Sequence, residues 1–252
     1  MNVLSLFSGI GGIDLGLESH GCKTTAYSEI DPYASKIMSK RFPDAVNLGD
    51  ITTIDWSEAH ERFGGFDIIC GGFPCQDISL AGKGAGIAEG TRSGLWKFYA
   101  DAIRELRPRG VLVENVAAIL SRGIDRVLGD LAACGYDAEW DCIPASAVGA
   151  PHRRDRAFIV AYPSGEQRPP RSCMEQGDSW RPPAQYRGGS SDPFSEGWRR
   201  AKTWNGGQPN VGRLVYGVPD RVHRLRCLGN AVVPQVAEHV AGILMERLRE
   251  TR

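Results

Sequence analysis

Nowhere does this sequence approach the roughly 18 consecutive apolar residues that a membrane-spanning helix needs, so no membrane partner is expected. Its opening residues, Met1-Asn2-Val3-Leu4-Ser5-Leu6-Phe7, lack the basic segment that precedes a signal peptide's apolar core. The first basic residue is Lys23, and a cytoplasmic location is the expectation. No CxxC pair occurs. The seven cysteines, at positions 22, 70, 75, 134, 142, 173 and 227, are odd in number and scattered. That pattern speaks against a disulfide framework and a zinc ribbon, and no metal site is expected. A net charge is also missing, with 30 Lys and Arg against 30 Asp and Glu. Overall basicity therefore gives no sign of nucleic acid.

The charges are nevertheless unevenly placed. Residues 1–150 hold 13 Lys and Arg against 20 Asp and Glu, while residues 151–226 hold 14 against 7. An acidic body with a basic later segment suits a protein that meets phosphates on one side only. With 252 residues, 42% of them apolar and 24% charged, the chain is long enough for one sizeable domain or a domain with an insert.

Apolar runs alternate with helical spacing through the first two thirds. Val3 to Leu6, Thr24 to Ser28, Asp67 to Cys70, Gly110 to Val113 and Ala157 to Ala161 read as strands. A helix after the turn Phe7-Ser8-Gly9-Ile10-Gly11-Gly12 puts Ile13, Gly16 and Leu17 on one face. Asp31-Pro32 caps another helix, and Leu95 to Leu106 has helical spacing. Alternating strands and helices predict an α/β fold: a largely parallel sheet with helices on both faces. Ligands of such sheets gather at the carboxyl ends of the strands, where Gly9, Glu29, Asp50, Cys75 and Glu114 are all expected.

The character changes after Tyr162. Prolines, glycines, serines, arginines and tryptophans dominate to Asn210, and three of the six tryptophans (Trp180, Trp198, Trp204) lie beside Arg181, Arg199, Arg200 and Lys202. A small irregular domain facing DNA is expected there, with a disordered linker as the alternative. Order is expected to return at Arg213-Leu214-Val215-Tyr216. An amphipathic helix then closes the chain from about Val233 to Arg249, its apolar face carrying Val236, Val240, Ile243, Leu244 and Leu248.

Several of these positions suggest chemistry. The Gly9-x-Gly11-Gly12 turn lets the backbone approach a ligand. A dinucleotide fingerprint would need a glycine where Asp14 stands, which counts against a nicotinamide cofactor. Glu29, ending the second strand, can accept both ribose hydroxyls of an adenosine, and Asp50 can accept from an adenine amino group. Together they describe a nucleoside pocket. Cys75 follows a proline that stiffens the chain at a strand's mouth. From these residues alone it is a nucleophile, a metal ligand, half of a disulfide or a small buried hydrophobe.

Five segments, in this order, resemble the motifs of DNA (cytosine-5)-methyltransferases. They are Phe7-Ser8-Gly9-Ile10-Gly11-Gly12, Pro74-Cys75-Gln76, Glu114-Asn115-Val116, His152-Arg153-Arg154-Asp155-Arg156 and Leu228-Gly229-Asn230-Ala231-Val232. The resemblance covers nearly the whole chain except roughly residues 163–212. It implies a Rossmann-like methyltransferase fold that binds S-adenosyl-L-methionine and releases S-adenosyl-L-homocysteine. It also implies a catalytic domain over 1–162, a target-recognition region over 163–212, and a C-terminal segment over 213–252 returning to the catalytic domain.

The resemblance further implies roles for single residues. Phe7 packs on the adenine, Glu29 binds the ribose and Asp50 the adenine amino group. Gly9, Gly11, Gly12, Ile30, Ile51, Pro74, Leu95, Asn230 and Ala231 complete the cofactor site. Cys75 is the nucleophile, Glu114 the carboxylate at cytosine N3, and Arg154 and Arg156 surround the flipped base and Glu114. His152 stands where a glutamine is common in the family. The glycine-rich stretch Leu80 to Gly86 is expected to close over the cytosine as a lid. Double-stranded DNA is the implied partner, together with a cognate restriction endonuclease, and a monomer is expected. The rivals are a tRNA-methylating relative of the same fold, an inactive DNA-binding relative and a nicotinamide oxidoreductase. Base reading is expected among Arg181, Arg187, Arg199, Arg200 and Arg213.

Overall fold

The apolar runs of the sequence come together as one twisted sheet because each strand alternates its side chains between two helical layers. A computed structural model describes residues 1–74, 93–150, 152, 154–165 and 221–249. Cys75, the glycine-rich stretch 80–86, the tryptophan- and arginine-rich segment from 166 and the expected strand at 213–216 lie outside the described residues.

The strands are β1 (Asn2–Leu6), β2 (Lys23–Ser28), β3 (Val46–Asn47), β4 (Ile68–Gly72), β5 (Gly110–Val116), β6 (Tyr136–Ile143) and β7 (Arg156–Pro163). The helices are α1 (Gly12–Glu18), α2 (Pro32–Arg41), α3 (Trp56–Phe63), α4 (Trp96–Leu106), α5 (Ile119–Arg122), α6 (Ile124–Ala133), α7 (Arg221–Asn230) and α8 (Pro234–Arg249). The sheet order is β3-β2-β1-β4-β5-β7-β6. β3, β2, β1, β4 and β5 pair in parallel, whereas β7 is antiparallel to both β5 and β6. The expected largely parallel sheet is thus present, with one reversed strand inserted between β5 and β6.

One layer packs Trp96, Tyr99 and Ile103 of α4 and Val127 and Leu131 of α6 against Leu4, Leu6, Ile69, Val111, Val113 and Ile159. On the other face Ile13 and Leu17 of α1 and Val236, Val240, Leu244 and Leu248 of α8 cover Val3, Ile68, Cys70, Leu112 and Val160. Each such buried aliphatic contributes about 1.5–3 kcal/mol. Ile243, expected on the buried face of the last helix, is only partly covered at its edge. No helix among the described residues is long and apolar enough to cross a membrane.

Local chemistry sets the boundaries. Asp31 caps α2 by accepting from the backbone N–H groups of Tyr33 and Ala34, with Pro32 in the first turn. β4 runs past Cys70, where the sequence reading ended the strand, to include Gly71 and Gly72. Glu114 and Asn115, expected just past a strand, lie inside β5. The C-terminal helix is held to the outer strand by Arg247, whose Nε lies 2.7 Å from Glu139 Oε1. Tyr162 donates its hydroxyl to the same carboxylate oxygen at 2.6 Å.

α1 and α8 cross at Gly16, which gives the expected shared face of Ile13, Gly16 and Leu17 its reason. A Cβ on Gly16 would stand 2.5 Å from the carbonyl carbon of Ala237, a backbone atom that no rotamer can move. Gly16→Ala therefore forces the helices apart. It is expected to cost about 1–3 kcal/mol, read as a lowered midpoint in denaturant unfolding with an unchanged slope.

Candidate functional site

A cavity of about 590 Å³ opens where the parallel strands end. Such an edge is the ordinary ligand site of an open α/β sheet. Its first wall is the turn between β1 and α1. Phe7 adopts a left-handed backbone with φ 52°, an uncommon conformation for a non-glycine residue that is retained where surrounding structure enforces it. Gly9 (φ 56°) has nothing within 4 Å of a would-be Cβ, so this glycine serves the turn and leaves the wall open.

The next two glycines make close approaches to other parts of the protein. A Cβ on Gly11 would meet Phe42 at 2.7 Å and Met38 Sδ at 2.9 Å, and Gly11 does not line the cavity. One on Gly12 would meet the Val232 carbonyl oxygen at 2.7 Å. Both glycines admit protein: α2 in the first case, and in the second the segment joining α7 to α8.

Glu29, at the end of β2, is fixed by two backbone donors. Gly9 N–H donates to Oε2 and Asp31 N–H to Oε1, each at 2.7 Å. One lone pair per oxygen stays available for a ligand hydroxyl. Burial raises its pKa above the usual carboxylate value, and those two hydrogen bonds oppose the rise. Asp50 caps the short 3₁₀ turn Ile51–Thr53, accepting through Oδ1 from the Thr52 N–H and hydroxyl. Ile30 is 72% exposed on the cavity wall, an apolar side chain that a flat ring can cover. Ile51 lines the cavity opposite open solvent, buried on its other sides.

At the far end lies Glu114, buried within β5. Its register partner on β4 is Gly72, where a Cβ would stand 2.5 Å from Glu114 Oε2 and would push the carboxylate from this position. On the other side β7 supplies Arg156, whose Nε is 2.8 Å from Glu114 Oε1. Burial raises the Glu114 pKa to about 7, with the charges of Arg156 and Arg154 pulling it down. This carboxyl therefore exchanges a proton near neutrality.

Asn115 donates through Nδ2 to the Phe73 carbonyl oxygen at 3.2 Å, pinning the chain just before Pro74-Cys75. Arg154, left-handed at φ 42°, donates through Nη2 to the carbonyl oxygens of Gly229 (2.6 Å) and Ala231 (2.5 Å). Its guanidinium thus clasps the segment around Asn230, while its charge still acts on Glu114. His152 is exposed.

The cavity brings together Phe7, Gly9, Gly12, Glu29, Ile30, Asp50, Ile51, Pro74, Leu95, Glu114, Arg156, Asn230 and Ala231. Among the expected site residues Gly11 and Arg154 stand outside the lining, and Cys75 lies outside the described residues. Sequence reading gave no role to Ser5, Asp14, Asn115 or Cys227, all of which line the cavity. Asn115 had a signal in its position after Glu114, and Asp14 only in the turn it shares with the glycines.

The chain is 37% identical over 169 residues to the Type II methyltransferase M2.BsuMI of Bacillus subtilis, covering 64% of this chain and 42% of that protein. It is 30% identical over 213 residues to the orphan methyltransferase M.Rho11sI of Bacillus phage rho11s, covering 81% of this chain and 39% of that one. The chain thus spans less than half the length of these curated relatives. A crystal structure of a Spodoptera frugiperda DNMT2 mutant superposes with a TM-score of 0.56 at 21% identity, covering 67% of this chain and 51% of that chain; the likeness is one of fold. The family described as C-5 cytosine-specific DNA methylase matches residues 1–184. This chain belongs to that family.

Proposed function

We propose that the protein transfers the methyl group of S-adenosyl-L-methionine to C5 of a cytosine flipped out of a specific duplex DNA sequence, through a covalent bond from Cys75 to C6. One observation carries the reading. A single cavity joins the carboxylates suited to a nucleoside, Glu29 and Asp50, to the buried Glu114–Arg156 pair, and Pro74, the covalent neighbour of Cys75, lines it. Its volume of about 590 Å³ lies within the usual range for ligand sites.

The residues present fit S-adenosyl-L-methionine. Glu29 is oriented with free lone pairs for ribose hydroxyls, Asp50 stands beyond it on β3's side, and Phe7, Ile30 and Ile51 give apolar surface for an adenine. Pro74, Leu95, Asn230 and Ala231 close the remaining wall. Bound there, the cofactor supplies an electrophilic methyl group.

The chain's own residues answer the difficulty of the acceptor, since C5 of cytosine is a weak nucleophile. The Cys75 thiolate adds to C6, and the carboxyl of Glu114 gives its proton to N3 as the charge there develops. C5, now part of an enamine, attacks the methyl group. A base then removes the C5 proton, N3 returns its proton to Glu114, and the thiolate leaves C6. A carboxyl that titrates near neutrality suits both halves of that exchange. Arg156 holds the carboxyl in place and limits how far burial raises its pKa. A base inside a duplex cannot reach such a pocket, so it must be flipped out, at a cost of a few kcal/mol.

Duplex DNA as substrate, the lid over Leu80 to Gly86 and sequence reading by the arginines of 163–213 belong to the same proposal. So does action as a monomer. A cognate restriction endonuclease is proposed from the Type II relatives; the phage relative is described as an orphan methyltransferase.

Expression in a host free of DNA methylation, followed by genome sequencing for 5-methylcytosine, is expected to reveal one methylated sequence context. Methylation of tRNA with none in DNA would instead favour the tRNA reading. Cys75→Ala is expected to lower transfer by roughly three orders of magnitude or more. Glu114 gives a stability test as well. Its pKa is raised on folding, from 4.5 to about 7, so the stability linked to this group is present in acid and is lost as pH rises through that window. The loss is at most about 3 kcal/mol. Denaturant unfolding of Glu114→Gln should accordingly show a shallower decline between pH 4.5 and about 7.5 than the unsubstituted protein.

A further inference from the structure

Asp14 is the one buried carboxylate of the cavity that the proposed chemistry leaves without a task. It lies in the first turn of α1 among the residues lining the cavity, packed beside β1 and β2, and is 1% exposed. Two hydroxyls donate to it: Ser5 Oγ to Oδ2 and Thr24 Oγ1 to Oδ1, both at 2.9 Å. No cation forms an ion pair with it among the described residues. A buried carboxylate without a counter-ion is expensive to keep charged. Burial accordingly raises its pKa to about 6, with the Thr24 and Ser5 bonds opposing the rise.

The order of strands says what would lie above it. Asp50 follows β3, Glu29 follows β2, Asp14 sits under β1, and Glu114 lies two strands further on, in β5. With an adenine near Asp50 and a ribose on Glu29, the substituent on the ribose 5′ carbon would run toward β1, on the side where Asp14 is buried. In the methyl donor that substituent carries a sulfonium cation; in the demethylated product the sulfur is neutral. We propose that Asp14 is a specificity-determining residue that serves as counter-ion to the donor's positive sulfur, loses a proton when the donor binds, and so makes the cavity prefer donor over product. This rests on the cofactor reading above.

The groups facing Asp14 are few. Ser5 of β1 and Thr24 of β2 are hydroxyls, Cys70 of β4 is a thiol whose pKa burial raises well above its ordinary value, and Glu18 is the acid on its own helix that repels it. Glu29 and Glu114 also border the cavity, and both persist in an Asp14 variant, so subtraction isolates Asp14.

Calorimetry of the full chain with S-adenosyl-L-methionine and with S-adenosyl-L-homocysteine, in buffers of different ionisation enthalpy, tests this without measuring turnover. Near pH 6 the unsubstituted protein should release about half a proton more on binding donor than Asp14→Asn does. Asp14→Asn should bind donor about tenfold more weakly at pH 8 while product affinity changes less than about twofold, a size that corresponds to one unit of pKa coupling. Asparagine can keep both hydroxyl contacts, and the proton release of the unsubstituted protein is informative even if the variant is unstable. Equal proton release and an unchanged donor-to-product ratio would overturn the role of Asp14 alone. Failure of the unsubstituted protein to bind either ligand would overturn the cofactor reading, and this inference with it.

Discussion

A carboxylate placed inside a central strand has to be accommodated from both sides, and the arrangement around Glu114 follows from that constraint. On one side β4 leaves room at Gly72, since a Cβ there would stand 2.5 Å from Oε2 and displace the carboxylate. On the other side a cation must approach in the plane of the sheet, and the reversed β7 brings Arg156 there. A parallel strand beside β5 would have carried its residues in the opposite order. The antiparallel insertion is thus tied to the chemistry: it delivers Arg156 to the carboxylate and Arg154, two residues earlier, to the chain that follows α7.

That second contact links the two ends of the sequence. Arg154 holds the Gly229 and Ala231 carbonyls, Gly12 admits Val232 against the first turn, and Gly16 admits α8 against α1. The C-terminal segment is built into the cavity wall by residues from distant parts of the chain. A cofactor bound between the β1 turn and Asn230 would rest on both, so its affinity should depend on this clasp as well as on the residues that touch it.

The strands of the central sheet were legible because they are buried on both faces and read as short apolar runs, as in Val3 to Leu6 and Gly110 to Val113. β6 was not. It lies at the edge of the sheet, its residues Tyr136-Asp137-Ala138-Glu139-Trp140-Asp141 alternate polar and apolar, and all but Tyr136 are at least partly exposed. The acids of the site were legible from their positions at strand ends, and the motif order led to the family. Less visible was which partner each glycine admits: Gly11 and Gly12 look in sequence like a ligand-binding turn but press against Phe42 and Val232. Asp14 was hidden for a related reason. In sequence it only breaks a dinucleotide fingerprint, and the hydroxyls of Ser5 and Thr24 that accompany its burial are brought over by two strands.

The central claim is that this cavity serves covalent catalysis at cytosine. It is tested most directly by incubating the protein with cofactor and duplex DNA in which the target cytosine carries fluorine at C5, then locating the adduct by mass spectrometry. Fluorine cannot leave as a cation, so the step that frees the thiolate is blocked. The account predicts a stable protein–DNA complex, dependent on S-adenosyl-L-methionine, with the bond at Cys75 and a methyl group on the trapped base. Methyl transfer to ordinary DNA without such a complex, or a bond at any other cysteine, would contradict it.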